Sequence, residues 1–323
     1  MNHDKLGTPS RRPGAKIKVR ANSSFVFLLL SLLPSLAVAQ KQTDVAITVD
    51  DLPAHGDMPA GMTRTDIAQS MIATFEAKGV PNVYGFVNAK SIAGDADRMA
   101  ALRVWVDAGF SLGSHTFSHI DLSTHSVEEF TADVAADEPV LEALMGERDW
   151  HWFRYPFAHE GDTLEKRHAV RKYFEEHGYK VAQITLDFED YAWNNPYARC
   201  MEKQDTPAIA WLKSSYLGTA EEYIALGQKL ATQIYGRDIK HVLVLHMGAF
   251  DALMLPDLLE LLRKKGFHFV TLAEAQKDPA YLRDPDAALP YGGSLLEQLT
   301  EAQHLKYPPF AEKPMKKLDA ICR

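Results

Sequence analysis

Two cysteines in 323 residues are too few for a disulfide framework, and they exclude a four-cysteine zinc site outright. Cys200 and Cys322 could pair with each other in an exported protein, but their spacing does not decide it. Long apolar runs are also scarce. Phe25–Leu36 is interrupted by Ser31, Pro34 and Ser35 and is too short for a comfortable spanning helix. A basic leader precedes it and Ala37-Val-Ala39 follows, so residues 1–39 read as a secretory signal peptide cut after Ala39. An uncleaved N-terminal anchor is the alternative. Ser10-Arg11-Arg12 resembles a twin-arginine start, but the apolar run is distant, which favours general export to the periplasm or medium. No stable membrane insertion is expected after cleavage.

Positive charge is short as well. The whole chain carries a formal charge of −8. Residues 1–39 hold six basic side chains and one acid, so their removal takes the charge to −13. That balance makes the chain a poor candidate for nucleic acid or an anionic membrane surface, so no nucleic-acid partner is expected, though it leaves a neutral polymer open. Internal repeats and low-complexity linkers are missing. The remaining length suits one large α/β domain.

What is present is an alternation of short β-rich runs with amphipathic stretches. Strands are expected at 45–49, 83–87, 110–113, 152–155, 181–186, 241–245 and 267–271. Helices are expected at 65–78, 97–108, 126–145, 163–177, 207–235 and 256–265. Ser126-Val-Glu-Glu129 is a capping-box start. Several strands are apolar on both faces, as a sheet covered by helices requires. This βαβ spacing predicts a mostly parallel sheet. Seven strands are one short of an eight-stranded barrel, so the expectation is an irregular or open barrel over residues 40–278. Residues 279–323, with Pro285, Pro290 and Pro308-Pro309, read as an irregular tail packed on that domain.

Five polar clusters each follow one of the apolar runs. They are Asp50-Asp51, His115-x-x-x-His119, Arg154-Tyr-Pro156, Asp187-x-x-Asp190 and His246. Chemistry in parallel sheets and barrels gathers at the carboxyl ends of the strands. Five such clusters in register therefore suggest one site.

Two histidines four apart can face one point, and with one aspartate they make a common catalytic zinc shell that leaves a position for water. The intervening residues lack the glutamate of a zinc-protease helix. The second aspartate could be the base for that water; the plain alternative is that the pair caps a turn. Arg154 lies in an apolar strand, where a buried guanidinium needs an anionic partner. An exposed Phe157 N–H beyond Pro156 could donate to an oxyanion. A lone His246 on an apolar strand is commonly a satisfied core histidine. At this rim it could instead protonate a leaving amine, with Asp190 orienting it. Tyr191 and Trp193 could line a sugar site or simply pack. His55, His125 and His159 do not stand apart from ordinary loop histidines.

Taken together these residues resemble the polysaccharide deacetylase family, the NodB-homology carbohydrate esterases, over residues 44–275. Thr48-Val-Asp50-Asp51 resembles the family's Thr-Phe-Asp-Asp segment. His115-Thr-Phe-Ser-His119 matches its His-(Ser/Thr)-x-x-His element, and Arg154-Tyr-Pro156-Phe157 its Arg-x-Pro-(Tyr/Phe). Asp187-Phe-Glu-Asp190-Tyr191 resembles Asp-x-x-Asp-Trp, and Leu243-Val-Leu-His246 the final Leu-x-x-His or Leu-x-His element.

The resemblance implies a distorted seven-stranded (β/α) barrel and a divalent metal, usually zinc, held by Asp51, His115 and His119. Histidine and carboxylate ligands also tolerate cobalt, nickel or manganese. It further implies Asp50 as general base, Arg154 as its orienter, His246 as the acid and Asp190 as its tuner. The oxyanion would rest on the metal and the Phe157 N–H. The chain departs from the pattern at Leu52, Ala158 and Tyr191, where glycine, glycine and tryptophan are usual. Residues 192–206 stand where they could remodel the adjoining wall.

The implied activity is hydrolysis of N-acetyl groups on glycans containing N-acetylglucosamine, either peptidoglycan or chitin-like oligomers, with release of acetate. Alternatives keep the metal site and change the bond: an O-acetyl esterase on xylan-like polymers, or an amidohydrolase on a small non-sugar amide. A catalytically silent glycan-binding protein would have lost one of the acid/base or metal residues, and none is missing here.

Overall fold

The computed structural model describes residues 43–289 and 291–323. The expected signal peptide lies outside the described residues. Strand β1, Thr43–Leu52, carries the alternation that organises the rest. Val45, Ile47 and Val49 join the large apolar layer that also contains Ile67, Met71 and Phe75 of the first helix. Ala46 belongs to a separate inner cluster with Tyr84, Phe86, Trp152, Ile184, Val242 and Val244. Successive side chains of a strand point to opposite faces, so Thr48 and Asp50 share the inner face with Ala46.

Helix α1, Arg64–Ala77, follows with a Thr63/Asp66 capping box, then strand β2, Tyr84–Val87, and helix α2, Ala96–Asp107. Strand β3, Ser111–Ser114, leads to helix α3, Val127–Met145, opened by the expected Ser126/Glu129 capping box. Strand β4, Trp152–Phe153, ends just before Arg154. Helix α4, Leu164–Glu176, and the two-residue strand β5, Lys180–Val181, come next. Helices α5, Asn194–Glu202, and α6, Thr206–Tyr235, precede strand β6, His241–His246. Helix α7, Ala249–Lys264, strand β7, Phe267–Phe269, and helix α8, Leu272–Ala275, follow. The last helices are α9, Leu295–Ala302, and α10, Met315–Ala320.

All strand pairings are parallel, in the order β5-β4-β3-β2-β1-β6, with β7 also on β1. An isolated bridge, Leu186 to Leu243, brings the stretch after β5 back onto β6 and curls the sheet into a distorted seven-stranded (β/α) barrel. Gly113 permits close approach inside it: a Cβ there would fall 2.5 Å from the Trp152 carbonyl oxygen.

Three expectations shift. The strand expected over 181–186 stops at Val181, because the chain leaves β4 to close the barrel. The N–H groups of Thr185 and Leu186 both donate to the Val242 carbonyl at 3.0 Å. The helix expected from Pro256 begins seven residues earlier, since Asn194 Oδ1 accepts the Phe250 N–H at 2.8 Å and fixes the first turn. Pro256 then sits inside the helix, against the usual preference of proline for a first turn. The stretch 279–323, read as irregular from its prolines, contains α9 and α10. Its end is tied to α5 by a disulfide between Cys200 and Cys322, with Cα atoms 5.2 Å apart. No helix among the described residues is long and apolar enough to cross a membrane.

Candidate active site

The register of β1 on β6 sets Asp50 opposite His246 at the carboxyl rim of the barrel. Arg154 enters the interior from the end of β4. Its Nη1 lies 3.1 and 3.2 Å from the two Asp50 oxygens, its Nη2 donates to Thr48 Oγ1 at 3.1 Å, and its Nε donates to the Ala182 carbonyl at 2.7 Å. The guanidinium also lies over the Phe86 ring, 4.7 Å from its centre. This buried cation is thus fully engaged, as burial demands.

Asp51 adopts a left-handed backbone, φ 60°, that turns its side chain away from the alternation of β1. His119 and Phe157 share such backbone angles, 58° and 57°. Strained residues of this kind gather at functional sites when the surroundings hold them. Asp51 Oδ1 lies 3.5 Å from His115 Nε2 and 3.4 Å from His119 Nε2. It is buried and has no hydrogen-bond partner. The other ring nitrogen of His115, Nδ1, lies 2.7 Å from the Arg154 carbonyl, which commits it as the donor and leaves Nε2 as a lone-pair site. One oxygen and two imidazole nitrogens, all within 4.8 Å of one another, fit a divalent cation.

The electrostatics agree with that fit. Burial pushes both His115 and His119 down to about 4, so each is a neutral imidazole near neutral pH. Burial works against an ionised Asp51. The His55 hydrogen bond and the imidazoles of His246, His115 and His119 outweigh it and hold the carboxyl well below its ordinary range. Asp50 goes the other way: its burial raises it despite Arg154 and His246.

His246 Nδ1 lies 2.7 Å from Asp190 Oδ1, and its backbone N–H donates to Asp190 Oδ2 at 2.8 Å. Burial alone would lower this imidazole. The adjacent Asp190 carboxylate overcomes that and pushes it up to about 10. Phe157, 56% exposed, stands at the rim on the turn after Pro156, and its N–H has no acceptor among the described residues.

These groups line one cleft of about 430 Å³. It brings together Asp50, Asp51, His115, His119, Phe157, Tyr191 and His246, while Arg154 and Asp190 stand behind Asp50 and His246. Trp193 is a correction. It is 0% exposed, its Nε1 donates to Ser215 Oγ at 2.9 Å, and it packs edge-on to Tyr216 in the core. The 3-10 turn Asp190–Trp193 points Tyr191 to the cleft and Trp193 inward.

The sequence also left residues unassigned that the fold brings here. His55 Nδ1 lies 2.7 Å from Asp51 Oδ2, and His159 lines the cleft with Nδ1 2.9 Å from Asp121. Asp187, Glu189, Gly292, Gly293, Glu297 and Lys313 complete the wall. The local hints are a histidine four residues past Asp51 and Asp187 in the Asp187-x-x-Asp190 cluster; the tail residues offer none. His125 is not among the cleft residues.

Comparison with known proteins follows the same lines. The family described as Polysaccharide deacetylase matches residues 37–182. A chitin deacetylase of Arthroderma benhamiae is 24% identical over 152 residues, covering 47% of this chain and 36% of that protein. A probable peptidoglycan-N-acetylglucosamine deacetylase of the same fungus is 24% identical over 253 residues, 77% of this chain and 48% of its own length. The chain therefore spans less than half the length of these relatives. Among solved structures, a mutant of a CE4 family pseudoenzyme of Bacillus anthracis, with restored activity, superposes with a TM-score of 0.51 at 15% identity, over 73% of this chain and 68% of that one. A polysaccharide deacetylase of Bacillus cereus gives 0.50 at 15% identity, over 71% and 92%. At such identities the likeness speaks for the fold.

Proposed function

From the match to the polysaccharide deacetylase family over residues 37–182, we propose that the chain is a member of that family and a metal-dependent hydrolase that removes N-acetyl groups from glycans containing N-acetylglucosamine. The observation that carries the reading is the buried, unpartnered Asp51 Oδ1 aimed at two imidazole nitrogens, directly beside Asp50. Asp51, His115 and His119 would hold the cation. Zinc suits this donor set best, and cobalt, nickel or manganese would also fit it. When bound, such an ion supplies a Lewis acid that polarises the acyl oxygen and acidifies water.

The chain's own groups do the rest. Asp50 takes the proton of the attacking water. Arg154 is a positioning residue: it fixes the Asp50 carboxylate and balances its charge inside the barrel. As the acyl carbon becomes tetrahedral, the Phe157 N–H donates to the developing oxyanion. His246, kept protonated by Asp190, gives its proton to the departing amine nitrogen. The products are acetate and a free amine. Tyr191, whose ring lies 5.0 Å from that of His246, offers a flat apolar face for a sugar ring. The leader read in residues 1–39 supports export, which would bring the enzyme to extracytoplasmic glycans.

The test is acetate release from an N-acetylglucosamine pentamer by the purified chain, with added zinc and again after chelation. Zinc-dependent acetate is expected, and Asp50→Asn should lose about 10²–10⁴-fold in turnover while still binding zinc. Zinc-loaded protein that releases no acetate, or an Asp50→Asn variant with normal turnover, sinks the reading.

A further inference from the structure

One end of the cleft is built by a part of the chain that the family match, 37–182, does not reach. Gly292, Gly293, Glu297 and Lys313 all line it. Gly292 sits so tightly on the rim turn that a Cβ there would fall 1.9 Å from the Phe157 carbonyl oxygen and 2.7 Å from the His159 ring. Nothing of atomic size fits between the tail and that turn. Across the cleft, Lys313 Nζ lies 2.8 Å from Glu189 Oε1 and 4.4 Å from the centre of the Tyr223 ring.

This wall is anchored rather than laid on the surface. The Leu295 N–H donates to the Ile184 carbonyl at 2.7 Å, next to the barrel closure. Gln298 Nε2 donates to Glu160 Oε1 at 3.1 Å, and Arg167 pairs with Glu160 at 3.1 Å and Asp284 at 2.5 Å. Glu160, Arg167 and Gln298 are all buried. Glu160 directly follows the Phe157–His159 turn, so the tail and that turn share one polar network. Beyond Lys313, the disulfide of Cys322 with Cys200 ties down the end.

We propose that residues 292–313 close the cleft, so that the enzyme acts on the acylated amine of a terminal sugar, at the end of a short or long glycan, and not on units inside a chain. This rests on the deacetylase reading and narrows its substrate class. A mid-chain sugar must extend in two directions from the reacting amide, and the contact of Gly292 with Phe157 blocks one of them. The cleft of about 430 Å³ lies toward the small end of the range, about 300–1,000 Å³, that suits compact ligands.

The experiment uses the zinc-loaded full chain with N-acetylglucosamine dimer, trimer and pentamer, and maps the freed amine in each product by mass spectrometry. The expected result is one acetate per chain, always from the same terminal unit, with kcat/KM changing less than about threefold from dimer to pentamer. Free amines at internal units, or kcat/KM that climbs steeply with length, overturn the closed wall and leave the deacetylase reading standing. No acetate at any length defeats that reading and this inference with it. Lys313→Ala gives a second readout. KM for the dimer should rise about tenfold, one lost charge-assisted contact, with kcat and melting temperature nearly unchanged. An unchanged KM removes Lys313 from the wall's role in binding.

Discussion

His55 Nδ1 lies 2.7 Å from Asp51 Oδ2, and that contact leaves Asp51 Oδ1 alone to face His115 and His119. The histidine thereby selects which carboxylate oxygen is presented to a cation. Its own ring packs against those of Tyr191 and His246, at 5.7 and 5.3 Å, so its position is restricted.

Outer partners of this type typically contribute 10–100-fold to metal affinity. His55→Ala should therefore weaken zinc binding by about that factor in a competition titration against a chelator. His159→Ala should leave it unchanged, because its partner is Asp121. Equal affinities for wild type and His55→Ala would deny His55 this role.

His246 and Asp190 predict a split between amide and ester. An amine needs protonation to leave, and an alcohol needs it less. His246→Ala should cost about 10²–10⁴-fold on an acetamide and much less on the matching acetate ester. In Asp190→Asn the imidazole loses the carboxylate that raises it to about 10, so the alkaline limb of the kcat profile should move to lower pH. A limb that stays in place would assign it to another group.

Asp137, buried in α3, accepts the Ala89 N–H at 3.0 Å through Oδ1, and its Oδ2 has no partner. Burial pushes its carboxyl up to about 7. The folded chain thus holds this proton more tightly than the unfolded one, so the associated stability is lost as pH rises from about 4 through 7. Between pH 5.5 and 8.5 the wild type should lose about 2 kcal/mol more than Asp137→Asn in denaturant melts. Parallel pH profiles would show that Asp137 ionises without cost.

The Cys200–Cys322 disulfide spans 122 residues, and Arg199 reinforces it by donating to the carbonyls of Leu318 and Ile321 at 3.0 and 3.1 Å. Replacing both cysteines by serine should lower unfolding stability by about 2–5 kcal/mol. A denaturation midpoint that does not move would mean that the side-chain contacts of the tail suffice.

Much of the site was legible before any fold was drawn. Asp50, Asp51, His115, His119, Arg154, Asp190 and His246 each end or follow an apolar run, and strands of a parallel barrel deliver such residues to one rim. The seven-strand barrel could be read for the same reason, because period-two burial and βα spacing are written locally. Trp193 departs from the expected wall because a 3-10 turn, unlike a strand, rotates each successive residue by about a third of a revolution. That turn sent Tyr191 to the cleft and Trp193 to the core.

The sequence by itself determined where the strands start, the chemistry that follows them and the candidate donor set Asp51–His115–His119. Only the tertiary structure decided that Asp51 turns out of the strand's alternation, that His55 holds one of its oxygens, and that Cys200 meets Cys322. It alone brought Gly292 and Lys313 into the cleft, from more than a hundred residues beyond Phe157. Residue types and short-range periods fix what each segment offers. Contacts across such distances depend on chain closure and buried polar networks such as Glu160–Arg167–Gln298, for which no local pattern exists.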